Sequence, residues 1–203
     1  MRNAAPHAAA PTVAGTTWPR LTTFFAVAAM VVIADQVSKA WVDRSFALSQ
    51  SSGAPAAPLA PPTPVLDNFV RIAKSYNNGA IFSLFGSSAT FFAVASLVAI
   101  VVIVWYEVAR GGRASWLVTL ALGLLMGGAI GNEIDRIRLH HVIDFVDMGI
   151  GTWRWYTFNV ADAAISVSLV VLLLVGVFGE PGARGGAAAE SQSGAGPVGG
   201  PST

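Results

Sequence analysis

Four long apolar stretches dominate this chain and point to a lipid bilayer as its solvent. They run from Leu21 to Val42, Ala89 to Val108, Ser115 to Ile130 and Phe158 to Phe178, and the third can extend to Ile134. A helix crossing the hydrocarbon core needs about 20 mostly apolar residues. The first stretch follows basic residues, as a signal peptide does, but it continues past Asp35 and Lys39 to Trp41, and three more stretches follow. It reads as a membrane helix. Charged residues make up only 11% of the chain, against about 25% in a soluble domain. Much of the surface must therefore face something other than water. The expected fold is a mainly α membrane protein with four transmembrane helices.

Four crossings place both ends of the chain on one side. Residues 1–20 read as a flexible arm, 21–178 as the membrane domain and 179–203 as a disordered Gly/Ala/Pro/Ser-rich tail. Arg2, Arg20, Arg110 and Arg113 lie on the tail side, which the positive-inside rule makes cytoplasmic, although Arg136, Arg138 and Arg154 lie opposite. Two long connections, 43–88 and 135–157, then share the outer face. Within the first, Ser49–Pro64 is Ser/Ala/Pro-rich and is expected to resist regular structure. Val65–Phe85 suggests one or two short strands, and Val142–Phe158 is strand-like with a glycine turn in its middle. A formal net charge of +1 offers no field for nucleic acid. There is no cysteine, and His7, His140 and His141 have poor spacing for a metal site.

Polar residues inside membrane helices are costly, and here they gather at one level, near the outer water boundary. Asp35 and Lys39 lie one helical turn apart, near the outer end of the first span. Asn132, Asp135 and Arg136 mark the outer end of the third, and Asn159 and Asp162 the start of the fourth. Asp144 lies just before it among Val142, Ile143, Phe145 and Val146. The lower halves of spans two to four read as almost entirely apolar. Each polar group alone has a structural explanation. Asp35 with Lys39, and Asp135 with Arg136, can be ion pairs. Asn132 and Asn159 can cap helices, and Asp162 can sit on a helix dipole. Asp144 and Asp162 are harder to explain together, since neither has a Lys or Arg beside it in sequence. Two carboxylates in a partly desolvated site share a proton. One can then activate water while the other donates to a peptide carbonyl.

Four blocks carry a family resemblance: ADQVSKAWV (Ala34–Val42), YNNGAIFSLF (Tyr76–Phe85), GGAIGNEIDRIRLHHVIDFVDM (Gly127–Met148) and FNVADAAISV (Phe158–Val167). In that order they resemble the bacterial lipoprotein signal peptidases, or signal peptidase II. The resemblance spans Thr22 to Phe178. It implies a four-helix bundle with a small β-rich extracytoplasmic cradle, and an aspartyl pair at Asp144 and Asp162. It implies that Asp35, Lys39, Asn77, Asn132, Arg136 and Asn159 bind substrate or support the site. It further implies prolipoprotein substrates carrying diacylglycerol on a cysteine, cleaved just before that residue at the extracytoplasmic face of a bacterial plasma membrane. Neither metal nor organic cofactor is implied, and the expected state is a monomer in the bilayer. Two departures stand out. Ile81 replaces a small residue, and Ser49–Pro64 is long where the family has a segment covering the site. Other readings are an ion- or proton-coupled transporter, which would need polar residues through the full depth, and a catalytically silent assembly protein. No HExxH or GxSxG motif occurs.

Overall fold

The computed structural model describes residues 18–51, 59–77, 88–110 and 115–179. The arm up to residue 17, the tail from residue 180, Ile81 and residues 52–58 of the Ser49–Pro64 stretch lie outside the described residues. Among the described residues four helices, α1 (Trp18–Ser45), α2 (Ser88–Arg110), α3 (Trp116–Leu139) and α4 (Val160–Phe178), accompany five strands. By length and composition α1, α3 and α4 can cross a membrane, and α2 holds the shorter apolar stretch Val94–Ala109.

Helix α3 is the centre of the bundle and packs against α1, α2 and α4. Small residues let it approach α1 and α4 closely, the usual basis of helix packing in lipid. A Cβ on Gly127 would fall 2.7 Å from the Ala28 carbonyl oxygen of α1, and one on Gly128 2.5 Å from the Ala161 carbonyl oxygen of α4. Both obstacles are backbone, so neither can swing aside. Gly128→Ala is therefore expected to cost about 1–3 kcal/mol through overpacking. The clash also requires α4 to shift away from α3, and thermal melting measures the loss. Below these glycines Phe24, Ala28, Ile103, Val118, Leu122 and Met126 form the apolar core. Val101, Trp105, Leu173 and Val177 point outward, as lipid-facing residues do.

The expected end of the third span, Ile130–Ile134, falls short. Helix α3 continues to Leu139, so Asp135 and Arg136 are helical and the connection begins only at His140. His140 closes the helix in a left-handed conformation (φ 61°), donating its N–H to the Arg136 carbonyl. Arg136 and Arg138 in the last turn suit the negative end of the helix dipole. Hydropathy loses a helix where it enters water, but the backbone hydrogen bonding continues. The apolar lower half also needs correction, since Glu107 and Thr119 are buried there and hydrogen-bonded to each other.

Strands β1 (Gln50–Ser51), β2 (Thr63–Leu66), β3 (Val70–Asn77), β4 (Val142–Ile150) and β5 (Trp153–Arg154) build a small sheet. The strand-like segments read from sequence are β2 with β3 and β4 with β5. However, the Ser/Ala/Pro-rich stretch reaches the sheet at both ends, through Gln50–Ser51 and Thr63–Pro64. β2 and β1 pair with different parts of β3, antiparallel and parallel respectively. β3 and β4 are antiparallel, with a slip between Ile72 and Ser75 that leaves Ser75 opposite Asp144. Gly151 takes φ +57° in the β4–β5 turn, a conformation that favours glycine.

Asp147 ties the sheet together. Its carboxylate accepts from Arg154 Nε at 2.8 Å and from Arg71 on β3. Burial alone would raise the Asp147 pKa, but Arg154 and Arg71 hold it below the ordinary carboxylate value.

Candidate active site

Asp144 is the third residue of β4 and only 2% exposed. Its position opposite the end of β3 brings Asn77 within reach, and Asn77 Nδ2 donates to Oδ2 at 3.0 Å. Asn159 Nδ2 donates to the other oxygen at 2.7 Å. Asn159 is also the N-cap of α4. Its side chain accepts from the Asp162 N–H at 2.9 Å, and the Asp162 carboxylate accepts from the Asn159 N–H at 3.3 Å. This reciprocal capping box fixes Asp162 in the first turn of α4. Asp162 Oδ1 also accepts from Asn132 Nδ2 at 2.7 Å. The two asparagines are joined in turn, since Asn132 Oδ1 accepts from Asn159 Nδ2 at 3.0 Å. Each aspartate is thus gripped by an asparagine, and the asparagines grip each other.

Behind this row lies a buried ionic cluster. Lys39 Nζ sits 2.8 Å from Asp35 Oδ2 and 2.9 Å from Asp135 Oδ2, and donates to Asn132 Oδ1 at 3.0 Å. Asp35 accepts from the Ala161 N–H of α4 at 3.0 Å. Asp135 accepts from the Ile143 N–H of β4 at 3.2 Å. The cluster therefore bonds to the residue before each aspartate of the pair. Gln36 Nε2 bridges Asp35, Asp135 and the Gly131 carbonyl.

The Asp35–Lys39 ion pair forms as the spacing implied. The reading of Asp135 with Arg136 as an interfacial pair does not hold. Neighbouring residues on a helix do not face each other. Asp135 turns inward to Lys39, while Arg136 donates to Ser96 Oγ of α2 at 3.3 Å and lies 3.8 Å from Glu133. Gln36 escaped the sequence reading. The signal was available, as an amide inside an apolar run beside Asp35.

Burial, reinforced by the charge of Asp162, pushes the Asp144 pKa up to about 7, against the opposing pull of Asn77 and Asn159. Near neutral pH the pair can hold one proton and one negative charge. Such a pair can take a proton from water and give one to a carbonyl oxygen.

Known proteins share this chain's sequence pattern and fold. The family profile described as signal peptidase (SPase) II matches residues 27–178. The lipoprotein signal peptidase of Xanthomonas axonopodis pv. citri (strain 306) is 37% identical over 155 residues, covering 75% of this chain and 84% of that protein. That of Coxiella burnetii (strain RSA 331 / Henzerling II) is 36% identical over 162 residues, covering 77% and 88%. A bacterial membrane enzyme solved by the in meso method at 1.9 Å aligns with a TM-score of 0.65 at 25% identity, covering 76% of this chain and 92% of the other. With its apolar helices and small sheet, this chain belongs to the signal peptidase II family of multi-pass bacterial membrane peptidases.

Proposed function

We propose that this chain is an aspartic endopeptidase that removes signal peptides from diacylglyceryl-modified prolipoproteins. It cuts just before the lipidated cysteine, at the extracytoplasmic face of the membrane, with Asp144 and Asp162 as its catalytic pair. The observation that carries this reading is the convergence of two aspartates, from β4 and α4, on the hydrogen-bonded pair Asn132–Asn159.

The signal peptide lies in the bilayer as an apolar helix, and the acyl chains of the modified cysteine lie in the outer leaflet. Both fix the scissile bond near the rim, where the aspartates stand. Such positioning lowers the barrier by several kcal/mol. Asp144, whose pKa is raised, carries the shared proton and donates it to the scissile carbonyl oxygen. Asp162 takes a proton from the water that attacks the carbonyl carbon. Collapse of the tetrahedral intermediate breaks the C–N bond, and the leaving amine takes a proton from the pair. Asn77 orients Asp144 from the sheet side, and Arg136 holds α2 against α3. Lys39 and Asp35 support the site from behind.

This mechanism has a defined pH dependence. Activity needs one proton on the pair, so kcat/KM should fall as pH rises through about 7, where Asp144 loses its proton. Asn77 stabilises the ionised form. Asn77→Ala should therefore raise the Asp144 pKa and move the alkaline limb to higher pH. A pH–rate profile on a diacylglyceryl-modified peptide measures both. An alkaline limb that stays in place in Asn77→Ala would rule out Asp144 as the proton carrier.

A further inference from the structure

The end of the bundle remote from the aspartates holds a carboxylate for which the proposed chemistry has no use. Glu107 on α2 is only 5% exposed. Its Oε1 accepts from Thr119 Oγ1 at 2.9 Å, while its Oε2 is buried with no hydrogen-bond partner. Among the described residues it is the only acidic side chain at this end. An unpaired carboxylate oxygen is expensive in such surroundings. Arg20 on α1 stacks over Trp116, one turn before Thr119 on α3, with its Cζ 5.1 Å from the ring centroid, and its Nη1 is also buried without a partner. No ion pair joins it to Glu107.

An apolar groove of about 650 Å³ runs along α2 to the turn that bears Glu107, lined by Ile100, Val101, Val104, Trp105 and Val108. Glu107 lies at the edge of this groove, two turns after Ile100 and one turn after Ile103, which faces the core. Among the described residues helix α2 makes its main helix contact with α3, and Val101, Trp105 and Val108 on its flank are exposed.

Resting on the peptidase reading above, we propose that Glu107 and Thr119 form the subsite for the basic residue that precedes the apolar segment of the signal peptide. Charge and length both fit. A signal peptide begins with a cationic segment followed by 7–15 apolar residues. The level of Glu107 is set by Thr119, and that of the aspartates by Asn132, thirteen residues further along α3. At 1.5 Å per residue this is about 20 Å. A helical signal peptide with its scissile bond at the aspartates therefore carries the residue about thirteen positions upstream to Glu107. The apolar segment between would fill the groove on α2.

The test crosses two enzymes with two substrates. Diacylglyceryl-modified peptides carry either Lys or Gln before the apolar segment and are cut by wild type and by Glu107→Gln. In wild type the Lys peptide should show a KM about tenfold lower than the Gln peptide, the size of one charge-assisted hydrogen bond. In Glu107→Gln that ratio should fall toward one, with kcat for the Lys peptide little changed. Glu107→Lys should reverse the preference in favour of a peptide with Glu at that position. Equal ratios in wild type and Glu107→Gln overturn the proposal. So does a matched loss of melting temperature in Arg20→Gln and Glu107→Gln without any substrate dependence, which would make the two residues a structural pair. If wild type cuts neither peptide, the peptidase reading itself fails and the subsite falls with it.

Discussion

Asp144→Asn and Asp162→Asn should each reduce cleavage by about 10⁴-fold while leaving the protein folded, as expected for loss of the acid or the base in a concerted pair. The two variants should differ in stability. In the native protein the Asp144 pKa lies near 7, above its ordinary 3.8. A carboxyl group with a raised folded-state pKa destabilises the fold above that pKa, where folding must bury its charge. The gap sets an upper bound of roughly 4 kcal/mol. Asp144→Asn removes the charge, so at pH 8 it should melt at or above the wild-type temperature. The advantage should shrink as pH falls from about 7 toward 4, where the native carboxyl is already protonated. Melting in detergent at several pH values tests this. A variant that melts far below wild type at pH 8 would make Asp144 a structural residue. Inactivity together with retained or raised stability is the mark of a site that trades stability for function.

The second large effect is expected at Lys39. This single buried cation serves Asp35, Asp135 and Asn132. Lys39→Met keeps the length of the side chain and leaves two carboxylates buried without their cation. Breaking a buried ion pair by removing one partner typically costs 3–5 kcal/mol. Here the damage should spread, because Asp35 anchors Ala161 at the start of α4 and Asp135 anchors Ile143 at the start of β4. Both segments lead directly to Asp144 and Asp162, the proposed catalytic pair. Lys39→Met should therefore lose activity together with stability, unlike the aspartate variants. Adding Asp135→Asn removes one of the orphaned charges and should recover part of the melting temperature without restoring activity. A Lys39→Met protein that melts within about 1 kcal/mol of wild type would show that the cluster does not hold the bundle together.

Much of the site was legible before any fold was known because lipid makes polar residues conspicuous. Asp35, Lys39, Asn132, Asn159 and Asp162 stand out in apolar runs. Their common level follows from the alternating direction of the helices. Sequence spacing could not choose their partners. Asp135 lies beside Arg136 in the chain, yet the helical rotation between them sends one to Lys39 and the other to Ser96. The end of α3 was misplaced because charge density marks the water boundary, whereas the helix continues through it to a capped end. Glu107 was passed over as one charge near the end of a strongly apolar run. Its importance lies in its burial and in the oxygen that Thr119 leaves unpaired, and both depend on packing. The sheet register, which sets Ser75 opposite Asp144 and Asn77 against its carboxylate, depends on a slip in β3 that alternation alone does not reveal.

The central claim is that this pair of aspartates cuts a lipid-anchored signal peptide before its modified cysteine. The most direct measurement is product mass after digestion of a signal-peptide substrate by the purified protein. Matched substrates would differ only in the diacylglyceryl group on the cysteine. The expected result is one cut, immediately before the cysteine, in the modified substrate alone. Cleavage at another bond, or equal cleavage of the unmodified substrate, would contradict the account.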